Sequence, residues 1–129
     1  MYSVKEIYYT LQGEGRQTGR PAVFLRFAGC NLWSGRERDR EMATCRFCDT
    51  DFVGTNGVNG GKYKNAKDLV KMVKKKWPSN RNNIQPYVVC TGGEPLLQLN
   101  DELIDVFHQN SFEVGVETNG TIIAPDNID

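Results

Sequence analysis

In Tyr87-Val88-Val89-Cys90-Thr91-Gly92-Gly93-Glu94-Pro95, four apolar residues run unbroken into a Gly-Gly turn that closes on an acid and a proline. A continuous apolar run of this length suits a strand covered on both faces, as in the middle of a parallel sheet. Upstream of it the pattern is helical from Asn65: Leu69, Val73 and Trp77 recur every four residues with Val70 beside them, and Pro78 ends the run. Downstream, Asn100 is placed to cap a second helix with apolar positions Leu103, Ile104 and Phe107. Phe112, Val114 and Val116 then alternate as a strand, and Thr121-Ile122-Ile123 reads as the start of another. Nearer the N-terminus, residues 4–11 and 22–28 are strand candidates, separated by the glycine-bracketed stretch Gln12-Gly13-Glu14-Gly15. Residues 53–62, dense in Gly and Asn, read as loop. Strand, helix, strand, helix, strand predicts an α/β fold with a mostly parallel sheet. The sequence stops at Asp126-Asn127-Ile128-Asp129, where a helix is expected to cover the last strand, so the sheet reads as unfinished.

The 129 residues, 39% of them hydrophobic, fit one domain or part of one. Sixteen basic and sixteen acidic residues cancel, so no global field favours nucleic acid or an anionic membrane. The lysines 62, 64, 67, 71, 74, 75 and 76 lie largely at helical spacing and read as a solvated face. No run of about 18 apolar residues exists to span a bilayer. The start, MYSVKEIYYT, lacks the pattern of a secretory signal, so the cytoplasm is the default location.

Four cysteines without an export signal argue against a disulfide framework. Fourteen residues separate Cys30 from Cys45, and two separate Cys45 from Cys48. The CxxC pair lets two thiolates reach one metal from a single turn of backbone, and Cys30, at the end of a predicted strand, can supply a third. Three thiolates leave one iron of a four-iron cluster without a protein ligand, open to a small molecule. A structural zinc site is the competing reading, but it wants four ligands. His108 sits in a predicted helix and Cys90 in a predicted buried strand, so neither is well placed to be the fourth. A thioredoxin-type CxxC would leave Cys30 unexplained. Cys90 reads as a small buried hydrophobe.

The three cysteines together with Gly92-Gly93-Glu94-Pro95 resemble the radical S-adenosylmethionine enzymes. Within them, Leu11-Gln12-Gly13-Glu14-Gly15, Phe24 to Leu32, Cys45-Arg46-Phe47-Cys48-Asp49-Thr50 and Val116-Glu117-Thr118-Asn119-Gly120-Thr121 are similar to the 7-carboxy-7-deazaguanine synthase family. The superfamily's usual first cysteine gap is three residues; the gap of fourteen matches the enlarged cluster loop of some members of that family.

This resemblance implies a partial (β/α) barrel of the radical S-adenosylmethionine type, truncated at its C-terminus. Residues 1–129 would form an incomplete core domain with an enlarged cluster-binding loop at 30–48. It implies conversion of 6-carboxy-5,6,7,8-tetrahydropterin to 7-carboxy-7-deazaguanine with loss of ammonia, on the route to queuosine and related deazapurines. Cys30, Cys45 and Cys48 would hold the 4Fe-4S cluster, and Thr50 would coordinate Mg2+. Phe47 would lie near the adenine of S-adenosylmethionine. Gly92, Gly93 and Glu94 would hold its methionine end, and Glu117 or Thr118 would reach its ribose. Gln12, Glu14 and Arg26 would line the pterin site, Arg26 pairing with the substrate carboxylate in a bidentate fork. The implied partners are the pterin, an electron donor such as flavodoxin or ferredoxin, and a second copy in a homodimer, with no direct contact to nucleic acid or membrane. The rival readings are a radical activase acting on a partner protein, which the cysteine gap and the pterin-matching residues disfavour, and a non-catalytic iron–sulfur fragment.

Overall fold

The computed structural model describes residues 1–13, 15, 17–29, 55–81 and 83–129. Cys30, Cys45, Phe47, Cys48, Thr50 and Glu14, and with them the predicted cluster loop, lie outside the described residues.

Among the described residues, five strands and two α-helices follow in order: β1 (Tyr2–Leu11), β2 (Pro21–Phe27), β3 (Gly61–Tyr63), α1 (Ala66–Lys76), β4 (Tyr87–Gly92), α2 (Asp101–Gln109) and β5 (Glu113–Val116). They build one sheet in the order β3-β1-β2-β4-β5. β2, β4 and β5 are parallel, whereas β1 runs antiparallel to both β2 and β3. The mostly parallel sheet expected from the pattern is therefore a mixed one, parallel over its β2-β4-β5 half. The loop at 12–20 returns the chain from β1 straight into its neighbour, and so short a return permits only antiparallel pairing.

Both helices pack on one face. Leu69, Val70 and Val73 of α1 and Leu103, Ile104 and Phe107 of α2 are buried against Val23, Leu25, Phe27, Val88, Cys90 and Val114 of the strands. Each such side chain contributes about 1.5–3 kcal/mol of hydrophobic stabilisation. The alternate strand residues form a smaller cluster on the opposite face: Ala22, Phe24, Tyr87 and Val89, with Tyr8 against them. Tyr8 stacks on Phe24 with centroids 5.6 Å apart. Gly115 lets the Tyr87 ring lie flat there, since a Cβ at that position would sit 2.1 Å from the Tyr87 hydroxyl.

Two expectations need correcting. Gly61 and Lys62, within the stretch read as loop, belong to β3, which pairs with Tyr2–Val4. Thr121-Ile122-Ile123 forms no strand, and Ile123 is 95% exposed. The position beside β5 is taken by Asp129, whose N–H donates to the Val114 carbonyl (3.1 Å) and whose Oδ2 accepts the Val114 N–H (2.8 Å). Among the lysines of the basic run, 62, 64, 67, 71, 74 and 75 are exposed, the solvated face expected. No helix among the described residues is long and apolar enough to cross a membrane.

Candidate functional site

Parallel strands end on the same edge of a sheet, and that edge is where α/β folds gather their ligand-binding loops. Here β2 runs out at Phe27 into Gly29, β4 at Gly92 into Gly93-Glu94-Pro95, and β5 at Val116 into Glu117-Thr118-Asn119. Gly29 has a φ of +99°, in the region that favours glycine, and this turn delivers the chain to Cys30.

Glu94 ties the three ends together. Its side chain is fully buried. Oε2 accepts the N–H of Leu96 (2.9 Å) and caps the short 3-10 turn Pro95–Leu97. Oε1 accepts the N–H of Asn119 (2.8 Å), and the Thr118 hydroxyl donates to both oxygens (2.6 and 2.8 Å). Its backbone N–H donates to the Gly29 carbonyl at 2.8 Å. A carboxylate is tolerated in the interior only when hydrogen bonds replace water, and these contacts do so. Both oxygens of Glu94 are thus engaged within the protein, so what the turn presents outward is its backbone at 92–94. Gly92 must be small for another reason: a Cβ there would lie 2.8 Å from the Phe27 carbonyl.

A cleft of about 490 Å³ opens beside this knot, lined by Gln12, Gly15, Gln17, Gly93, Val116, Glu117, Thr118 and Asn119. Gln12, Gly93, Glu117 and Thr118, assigned from the sequence to substrate or cofactor, are therefore brought to one place. Glu117 and Thr118 differ in what they offer. The Thr118 hydroxyl is held by Glu94, whereas the carboxylate of the exposed Glu117 meets a long contact from the Thr91 hydroxyl (3.4 Å) among the described residues.

The opposite wall of the cleft is the 12–20 loop. Gln12 is 8% exposed, its N–H donates to the Arg20 carbonyl (2.9 Å), and its own carbonyl accepts the Gly19 N–H (2.7 Å). Arg20 fastens the loop down: it pairs with Glu113, lies over the Tyr87 ring at 3.9 Å, and donates to Gln17 (3.3 Å).

Arg26 lies on the same open face, at the level of Thr91. Its Nε donates to Glu6 Oε1 (3.0 Å) and its Nη1 to the Gly92 carbonyl (3.1 Å). Glu6 and Gly92 take two of the five guanidinium N–H groups, the single one on Nε among them, and the other three, on Nη1 and Nη2, take part in neither bond. Gln17 and Asn119 were not assigned from the sequence. Asn119 sits inside a quoted motif and was within reach of that reading; Gln17 carries no motif and becomes visible only once the loop folds over the sheet.

No family model matches the chain. It is 62% identical over 128 residues to a 7-carboxy-7-deazaguanine synthase of Bradyrhizobium diazoefficiens, and 59% identical to that of Burkholderia multivorans. Each match covers 99% of this chain, which spans about 60% of the length of those relatives. Among solved structures, QueE from Escherichia coli is similar with a TM-score of 0.68 and 28% identity, covering 93% of this chain and 53% of that one. Along nearly its whole length, then, this chain is similar in sequence to the N-terminal part of 7-carboxy-7-deazaguanine synthases and in fold to QueE.

Proposed function

We propose that the protein to which this chain belongs is a radical S-adenosylmethionine enzyme. It converts 6-carboxy-5,6,7,8-tetrahydropterin to 7-carboxy-7-deazaguanine with loss of ammonia, as a carbon–nitrogen lyase of deazapurine biosynthesis. The observation that carries this reading is the convergence of Gln12, Gly93, Glu117 and Thr118 on one cleft beside the strand end that leads into Cys30. The described residues fit a nucleoside-bearing cofactor: Gly93, without a side chain, lines the cleft together with Glu117, and the cleft has the size of a small-molecule pocket.

Cys30, Cys45 and Cys48 would hold the 4Fe-4S cluster and Thr50 the Mg2+, with Phe47 near the adenine. When bound, the cluster and S-adenosylmethionine supply the radical that takes hydrogen from the pterin. The chain's own residues orient and shield. Carbonyls of the turn at 92–94 accept from the methionine amino group, with the Glu94 carboxylate fixing that backbone from behind. Glu117, rather than Thr118, takes the ribose hydroxyls, because the Thr118 hydroxyl is already held by Glu94. Gln12 and Glu14 hold the amide edge of the pterin, and Arg26 meets its carboxylate through its Nη groups. A longer partial (β/α) barrel, a homodimer and a flavodoxin- or ferredoxin-type electron donor complete the reading, with a cytoplasmic location.

Anaerobic purification of the intact protein, with iron and acid-labile sulfide counted per chain, tests it. The expected result is about four of each, lost in Cys48→Ala, together with S-adenosylmethionine-dependent release of ammonia from the pterin. A colourless protein holding one zinc overturns it.

A further inference from the structure

The pairing of β1 with β2 slips between Val4 and Glu6: Val4 faces Phe27, and Glu6 already faces Arg26. Lys5 is the extra residue of this β-bulge, and a bulge re-aims the side chains next to it. The glycine-rich turn at 55–60 is built around it. The Gly57 N–H donates to the Lys5 carbonyl (2.9 Å), the Ile7 N–H to the Val58 carbonyl (2.8 Å), and Asn59 Nδ2 to the Ile7 carbonyl (3.0 Å). Lys5 Nζ is turned aside to Asn56 Oδ1 at 2.5 Å. The approach is close enough to require glycine: a Cβ on Gly57 would lie 2.8 Å from the Glu6 Cβ, and one on Gly60 would lie 2.3 Å from the Lys5 carbonyl. The loop composition of this stretch, which no functional role absorbed, therefore has a purpose in holding residues 5–7.

What the bulge aims is the Glu6 carboxylate. It meets Arg26 Nε at 3.0 Å on the open face, with the two side chains 29% and 18% exposed, and Arg26 in turn bonds the Gly92 carbonyl. A long side chain with four rotatable bonds is fixed in this way at both edges of its guanidinium. We infer that Glu6 is a positioning residue for substrate recognition, orienting Arg26 so that its terminal Nη groups meet the carboxylate of the pterin. This deepens the reading of Arg26 given above and rests on it.

The test compares two probes on the intact, cluster-loaded protein saturated with S-adenosylmethionine: 6-carboxypterin, and pterin lacking the carboxylate, each titrated by its fluorescence. In Glu6→Ala the affinity for 6-carboxypterin is expected to fall about tenfold, the scale of one charge-assisted hydrogen bond. Pterin binding should stay within about twofold, and Glu6→Gln, which still accepts from Nε, should restore most of the loss. A Glu6→Ala protein that keeps its preference for the carboxylated probe, while Arg26→Ala loses it, overturns this inference alone. An Arg26→Ala protein that keeps the preference removes the assignment beneath it, and the inference with it. A parallel fall for both probes that Glu6→Gln does not rescue shows a merely structural role and also overturns it. Glu6→Asp, with its carboxylate withdrawn by one methylene, gives the same contrast with Glu6→Gln if the alanine variant does not fold.

Discussion

Cys90 stands in β4 between Leu25 of β2 and Val116 of β5, with no exposed surface. Burial pushes its thiol up from 9.0 to about 12. Unlike the three cysteines of the cluster motif, it is built to be inert, because the thiolate is the reactive form. Linkage turns this into a pH dependence. The unfolded chain loses that proton near pH 9 while the folded one keeps it to about 12, so the contribution is complete below pH 9 and lost as pH rises from there. The slope from this one thiol is about 1.4 kcal/mol per pH unit. Urea titrations between pH 8 and 11 should therefore show the native protein losing stability faster than Cys90→Ala; equal slopes would sink the assignment. Cys90 should also resist alkylation at pH 8 until the chain is denatured, as read by peptide mass.

At the scale of elements, the two helix caps separate a local interaction from a tertiary one. Asn65 Oδ1 accepts only the Asp68 N–H (2.9 Å) at the exposed start of α1. Asn100 Oδ1 accepts the Leu103 N–H (3.0 Å) and also the hydroxyl of Tyr2 (2.9 Å), joining α2 to the first residue of β1. Asn65→Ala should cost about 1 kcal/mol. Asn100→Ala should cost about 2–3 kcal/mol, because it also strands the hydroxyl of the nearly buried Tyr2. Equal midpoint shifts in urea would contradict the second bond. The Asn100 cap was read from the sequence, since Asn before a 3.6-residue apolar period is a local signal, and so were the start of α1 at Asn65 and the buried β4. What was not legible depends on partners distant in sequence. β3 hides among glycines because β1 supplies its pairing, and Thr121-Ile122-Ile123 fails as a strand because Asp129 holds the position next to Val114. Glu94 and Arg26 were assigned to the site from their motifs. Their engagement by Thr118, Asn119, Glu6 and Gly92 could not be read from any spacing.

Across the whole molecule, the consequence of those long-range contacts is that three strand ends meet on one residue, two of them on its carboxylate. Glu94 reaches the end of β5 through Thr118 and Asn119, its own turn through Leu96, and the end of β2 through its backbone bond to Gly29. Glu94→Gln is a near-isosteric test. One oxygen becomes an NH2, and in either amide orientation that group faces a backbone N–H, of Asn119 or of Leu96, which cannot accept from it. The expected cost is about 1–3 kcal/mol, the penalty of leaving a buried donor unpaired. Thr118→Ser keeps the hydroxyl and should be nearly neutral. The loss should also be spatially distributed: hydrogen exchange should accelerate at the amides of Leu96 and Asn119 and at Glu94's own bond to Gly29, while the helix cores of α1 and α2 keep their protection. If Glu94→Gln instead leaves the urea midpoint and all three amides unchanged, the carboxylate is not the tie. The geometry of this sheet edge would then have to be held by the strands alone.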